Sequence, residues 1–449
     1  MMRQLIRTIE YFLLMIFISS GIHASDMKTS FSLPEAQSYA MEHSWFLRNT
    51  SLDIGKAQLK VWETITTGLP QVSGSSTYNK FLNLPVSLIP GEFFGAEPGT
   101  YIPVKFGQDY SSDFGFTVSQ MIFDGSYIVG VGSSRIYLGL ARQANEKTAI
   151  DIRNAVAQSY YLVLIGEENL KVMTENLDNT RKMLRETELM YQNGFMEEQA
   201  VDQMKMLVKS AENEVLKAER EISIATTVLK YTMGMPLDEP VVLTDQLESF
   251  IRPLLGNGTG LPFDYTIHVD YRLAATRLSA AEKLLKLEQS TFLPRLNGFY
   301  SYSKTAYGNR ANLFDSEQSW YPSSLVGLSL TVPLFTSGQR LFKVRQAKVD
   351  LDKASSDREL ASQTIQKDYL TALANMETAV EKYSNDQENR ELAIKILNKG
   401  KIKFNNGISS STELMQLENQ YIQAHAAYIG SIMQLLSSDL ELKKAMGKL

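Results

Sequence analysis

Small and apolar residues recur at alternating spacings of four and three through Met204, Val208, Ala211, Val215, Ala218, Ile222, Ala225, Leu229 and Thr232. A helix with this pattern presents one continuous seam and packs lengthwise on its neighbours in coiled-coil fashion. The same register returns near the C-terminus, at Leu417, Tyr421, Ala424, Tyr428, Ser431, Leu435, Ser438, Leu442 and Ala445. A further seam, Leu170, Met173, Leu177, Leu184 and Tyr191, marks the helix before the first of these.

The pattern switches to period two in two short stretches. Phe114, Phe116 and Val118 alternate with Gly115, Thr117 and Ser119; Val326, Leu328, Leu330 and Val332 alternate with Gly327, Ser329 and Thr331. Strands of this kind carry one apolar face and one small, polar face. A lipid-facing barrel wall around a watery lumen needs that division, although a half-buried sheet covered by helices would show it too. Phe114, Phe116, Val118, Val326, Leu328, Leu330 and Val332 are thus the candidate lipid face, and Thr117, Ser119, Ser329 and Thr331 the candidate lumen face.

These elements belong to an internal duplication. LPQVSGSSTYNK, from Leu69, matches LPRLNGFYSYSK, from Leu293. YQNG ending at Gly194 matches FNNG ending at Gly407, and TMG ending at Gly234 matches AMG ending at Gly447. The two glycine pairs and the seams share one offset; the Leu-Pro pair has a larger one. The change of offset falls between the two strands of each copy, where the first copy has the longer loop. Each copy therefore reads helix, strand, loop, strand, long helix, turn, long helix. Residues 25–235 form repeat one, 236–264 a Gly- and Pro-containing linker, and 265–449 repeat two.

In repeat one, a helix is predicted from about Pro34 to Leu69, ended by Pro70, which disfavours helix in the residue before it. The helix after the second strand is predicted from Gly125 to Asn193, on the order of 100 Å long at about 1.5 Å per residue. Such a length implies a rod or tunnel wall rather than a compact domain. Asn193-Gly194 and Asn406-Gly407 read as left-handed helix stops, and so as the tips of helical hairpins.

The N-terminus has the form of an export signal: Arg3 and Arg7, an apolar core from Tyr11 to Ile18, then Ser19, Ser20, Gly21 and Ala24, with cleavage expected after Ala24. That core is shorter than the about 20 residues a spanning helix needs, and no other stretch is long and apolar enough. Entry into a membrane would then require strands that close a barrel, because lipid tolerates no unpaired backbone. Four strands per chain fall short of the about eight a small barrel needs; three copies would supply twelve. The loop from Phe81 to Tyr110 is unusually apolar, with Leu88, Ile89, Phe93 and Phe94, and is expected to fold onto the barrel mouth or a neighbouring copy.

Composition removes several chemistries. The net charge of −5 argues against a nucleic-acid binder, and the absence of cysteine removes disulfides, thiolate ligands and cysteine nucleophiles. His43, His268 and His425 stand apart with no metal-ligand spacing around them, and read as packing or surface residues. Gly130-Val131-Gly132 lacks the rest of a dinucleotide fingerprint, and Gly256, Gly258 and Gly260 lack the Lys-Ser/Thr of a phosphate loop. The expectation is no enzyme, no catalytic residue, no cofactor and no metal.

The paired Leu-Pro junctions at Leu69-Pro70 and Leu293-Pro294, the Val332 to Gly338 turn (VPLFTSG), the Asn-Gly tips at Gly194 and Gly407 and the Met-Gly endings at Gly234 and Gly447 resemble the TolC-like outer-membrane efflux protein family. The resemblance spans nearly all of the chain after its signal. It implies a mainly α fold with a β-barrel portion: a homotrimer whose twelve strands form an outer-membrane barrel continued by a periplasmic α-helical tunnel. It implies an exit duct for efflux or type I secretion, fed by an inner-membrane pump through a periplasmic adaptor. Gly194, Phe195 and Met196, with Gly407, Ile408 and Ser409, match the family's adaptor-docking turns. Glu413 matches an acidic position that narrows the family's periplasmic entrance, and Gln416 departs from a second one. The linker would lie near the tunnel's equator. The competing reading is a soluble periplasmic coiled-coil scaffold or pump adaptor.

Overall fold

The structure is a computed structural model and describes residues 29–256 and 263–449. The expected signal segment and the Gly-rich part of the linker lie outside these residues. We number the elements in chain order. Repeat one holds β1 (Ser30–Phe31), α1 (Leu33–His43), α2 (Trp45–Thr66), β2 (Gln71–Lys80), β3 (Val86–Pro90), β4 (Tyr101–Lys105), β5 (Tyr110–Asp124), α3 (Gly125–Gln192) and α4 (Glu198–Met233). The linker holds β6 (Val242–Leu243) and α5 (Leu247–Ile251); repeat two holds α6 (Val269–Ser290), β7 (Arg295–Gly308), β8 (Tyr321–Thr331), α7 (Gln339–Asn405) and α8 (Ser411–Ala445).

The long helices set the architecture. α3 runs 68 residues and α7 runs 67, each without a break. α3 starts cleanly because the Asp124 carboxylate accepts from the backbone N–H of Ser126 and Tyr127, satisfying two groups a helix start leaves free. Near the strands, α2 and α6 pack beside α3, and α6 also beside α7; at the other end α4 pairs with α3 and α8 with α7. Every seam position of α4 and α8 named above is buried or half-buried, so the heptad pattern faces the interior as expected. On α3, Met173 and Leu177 are buried, whereas Tyr191 is exposed beside the tip.

All four repeat-marking glycines end helices in the left-handed region, with φ of 77° at Gly194, 75° at Gly234, 72° at Gly407 and 67° at Gly447. At each, the next residue donates back across the last turn: Phe195 to Met190 at 2.8 Å, and Ile408 to Lys403 at 2.9 Å. This is a Schellman ending, which glycine permits because it has no Cβ to clash.

Two expectations are corrected. The first helix is not continuous from Pro34 to Leu69, since Ser44, with φ −61° and ψ 126°, ends α1 and begins α2. A Cβ on Gly234 would lie 2.4 Å from the His43 carbonyl oxygen, so the end of α4 is packed directly into this break. Residues 236–256 are also more than a linker. β6 pairs in parallel with β1, and Leu247 and Ile251 of α5 are buried in the main core. That core lies midway along α3, around Tyr160, Leu229, Met233, Leu435 and Leu436. The fully buried Tyr160 places its hydroxyl 3.0 Å from both the Phe31 carbonyl and an Asp245 oxygen, tying the linker to the tunnel helices.

Candidate functional site

The four long strands form one antiparallel sheet in the order β2-β5-β7-β8. Its register aligns Val72, Val118, Tyr300 and Val326 in one row across all four strands. Phe116 and Tyr302 stand opposite each other in the next row on the same face, with ring centroids 5.8 Å apart. The opposite face carries the row Ser73, Thr117 and Ser301, where the Thr117 hydroxyl donates to Ser301 at 3.1 Å. Leu325 ends that row on β8 as an apolar exception. Phe299, between Ser119 and Gly327, is a second exception, and Gly74, Ser76 and Lys304 interrupt the large side chains of the apolar face; most other rows keep one face apolar and the other small and polar.

The apolar face is uncovered. Val326 is 78% exposed, Leu328 71%, Phe114 65% and Leu330 63%. A contiguous apolar surface of this kind marks a site of contact with a membrane or another protein. Among the described residues, β2 and β8 each pair on one side only, which leaves two strand edges open. Ser119, Ser329 and Thr331 lie on the small, polar side, with Ser329 opposite Asn297. Val332 is not a strand residue: β8 ends at Thr331, and Val332 opens the turn into α7. The segment read as an apolar loop, residues 81–109, holds the β3–β4 hairpin, and Phe93 and Phe94 are 80% and 62% exposed on its tip turn.

At the far end, each hairpin tip projects one large apolar residue immediately after its glycine: Phe195, 83% exposed, and Ile408, 75% exposed. Met196 instead packs inward against a second core built from Met183, Met204, Leu207, Leu397, Phe404 and Leu414. Ser410 caps α8 by accepting from the Glu413 N–H at 3.2 Å, and the Ser409 hydroxyl donates to the Glu413 carboxylate at 2.7 Å. Glu413 and Gln416 are both exposed, one turn apart on α8.

The two tips are stitched together by residues the sequence did not single out. The Gln203 amide donates to the Thr412 hydroxyl at 3.2 Å and accepts from Ser411, while Asn405 donates to Glu186 at 3.2 Å. Farther along α8, the buried His425 accepts at Nδ1 from Arg390 Nε, 3.2 Å away, so its proton sits on Nε2, 3.1 Å from the Asn169 oxygen on α3. Burial, and then the neighbouring Arg390 charge, hold this imidazole down at about 4. His425 is therefore a packing residue, as expected, but one that bridges hairpin two to α3. At the corresponding positions of repeat one, Leu177 stands in place of Arg390 and Val215 in place of Tyr428. Among the described residues, no group of three or more His, Cys, Asp or Glu could hold a metal, and no helix is long and apolar enough to cross a membrane.

This combination of an uncovered apolar sheet and tunnel-length helical hairpins defines a class of outer-membrane duct. The sequence model described as outer membrane efflux protein matches residues 69–235 and 269–448, and the chain belongs to that family. It is 23% identical over 306 residues to the pyoverdine export outer membrane protein OpmQ of Pseudomonas aeruginosa, a match covering 66% of this chain and 61% of that protein. It is 22% identical over 316 residues to the outer membrane protein TolC of Vibrio cholerae, covering 69% and 71%. In fold it is similar to CusC, with a TM-score of 0.74 at 17% identity over 96% of this chain and 95% of that one. It is likewise similar to VceC of Vibrio cholerae, with a TM-score of 0.68 at 17% identity over 92% and 96%. The family places the chain in the outer membrane and sets aside the soluble scaffold or adaptor.

Proposed function

We propose that three copies of this chain assemble into an outer-membrane exit duct that passively conducts substrates delivered by an inner-membrane pump and a periplasmic adaptor, in efflux or type I secretion. One observation carries the proposal: a four-stranded sheet with an uncovered apolar face and two open edges continues, directly from β5 and through a short turn from β8, into helices of 68 and 67 residues. Joining β8 of one copy to β2 of the next satisfies both edges and closes a barrel, the arrangement a bilayer requires of strands. The apolar rows then face lipid, and the Ser and Thr rows line a wet lumen.

Phe195 and Ile408, repeated at both tips, are the apolar anchors for the adaptor, with Gly194 and Gly407 fixing the turns and Met196 and Ser409 bracing them. Glu413 lies at the periplasmic entrance, where symmetry would bring its carboxylates together and concentrate cations. Gln416, one turn on, adds a neutral amide instead of a second charge. Purified protein added to planar lipid bilayers should insert and conduct ions. Protein that remains soluble without detergent and never conducts would refute the duct.

A further inference from the structure

We infer that the junction between β8 and α7 is a docking surface for anionic glycerophospholipid headgroups of the inner leaflet. The inference rests on the proposed reading of the sheet's apolar face as its lipid face. Just past the end of β8, Leu334 and Phe335 are 91% and 87% exposed, more than any other large apolar residue among those described. The turn that holds them out is tight: Ser337 has φ 48° and Gly338 φ 81°, two successive left-handed residues. A side-chain-bearing residue rarely adopts this region, and the turn is closed by the Gln339 N–H donating to the Thr336 carbonyl at 2.9 Å.

Immediately below, the first ten residues of α7 carry Arg340, Lys343, Arg345 and Lys348 and no acid. A helix N-terminus is the positive end of the backbone dipole, so cations are disfavoured there and acids are favoured. Other helices of the chain follow that rule, with Glu35, Glu198, Asp270 and Glu413 in their first turns. Repeat one follows it as well, since the first ten residues of α3 contain no charge and Asp124 caps them. The four α7 cations have no ion-pair partner among the described residues, and Arg340 Nη1 is buried with no hydrogen-bond partner. Arg345 instead lies over the Phe342 ring, 5.8 Å from its centroid.

Local helix stability thus argues against Arg340, the cation of the first turn, and the other three cations find no counter-charge among the described residues, so an external anion suits all four. An apolar plug followed by unpaired cations over the first three turns of α7 fits acyl chains above and phosphate below. The phosphates of phosphatidylglycerol or cardiolipin would supply the negative charge that the dipole and the four side chains lack.

The test uses the full-length Phe335→Trp protein in phosphatidylethanolamine vesicles containing a minority of phosphatidylglycerol, with bromine on the acyl chains of one lipid or the other. The signal is the fluorescence added over that of the parent protein. Quenching should favour brominated phosphatidylglycerol several-fold. A cation near the surface is worth roughly fivefold, so Lys343→Glu and Arg345→Glu should each bring the quenching by the two lipids close to equal, whereas Lys343→Arg should preserve the preference. Equal quenching by the two lipids would overturn the headgroup inference while leaving the lipid face intact. No quenching by either would show that Leu334 and Phe335 meet another copy or the lumen, and both the inference and the face assignment would fail.

Discussion

Replacing His425 with glutamine should remove a defined part of the duct's acid sensitivity. Unfolded, a histidine takes up a proton near 6.5; in the fold, burial and Arg390 hold His425 down to about 4. The stability it contributes is therefore complete above the unfolded value and is lost as pH falls from about 6.5 toward about 4. Between about pH 7 and about pH 5 this amounts to about 2 kcal/mol per chain. The glutamine amide would keep an acceptor for Arg390 and a donor for Asn169, so packing is preserved while the titration disappears. Urea unfolding followed by helical circular dichroism, at both pH values, measures the difference directly. The parent should lose about 2 kcal/mol more than His425→Gln on acidification. Parallel losses in the two proteins would show that His425 is not held neutral between α7, α8 and α3.

Three further outcomes follow from the geometry. Leu328→Asp should impair membrane assembly by up to a few kcal/mol, whereas Ser329→Asp should be tolerated; equal yields of assembled protein would mean the faces are misassigned. Gly234→Ala should destabilise the chain by more than about 1 kcal/mol, because it adds a Cβ at positive φ against the His43 carbonyl; an unchanged unfolding midpoint would contradict that packing. Glu413→Gln should lower cation selectivity and weaken block by multivalent cations in planar bilayers, and Gln416→Glu should raise both, with unchanged values refuting the gate assignment.

The features legible from sequence are those that repeat. Seams at four-three spacing, alternating strands and Asn-Gly stops each carry local periodicity or turn chemistry, and each appears in the structure near its expected bounds. The break at Ser44 is hard to read because no proline or glycine marks it. The break recurs in the second copy: His268, the counterpart of Ser44 in repeat two, begins α6 with nearly the same backbone angles, φ −64° and ψ 136°. β1 and β6 are illegible because strands of two residues have no period to read. The Gln203 to Thr412 and Asn405 to Glu186 ties are hidden for a different reason, since they join positions far apart in the chain through side chains that are ordinary on any exposed helix. The α7 cations are visible as charges, but their significance depends on knowing that Gln339 begins the helix.

The central claim is that open sheet edges are closed by other copies of the same chain in the outer membrane. Light scattering on protein extracted with detergent from the outer-membrane fraction, corrected for bound detergent, counts the chains per particle. Three chains per particle are expected. A stable particle of one chain would leave β2 and β8 unpaired in lipid and would contradict it.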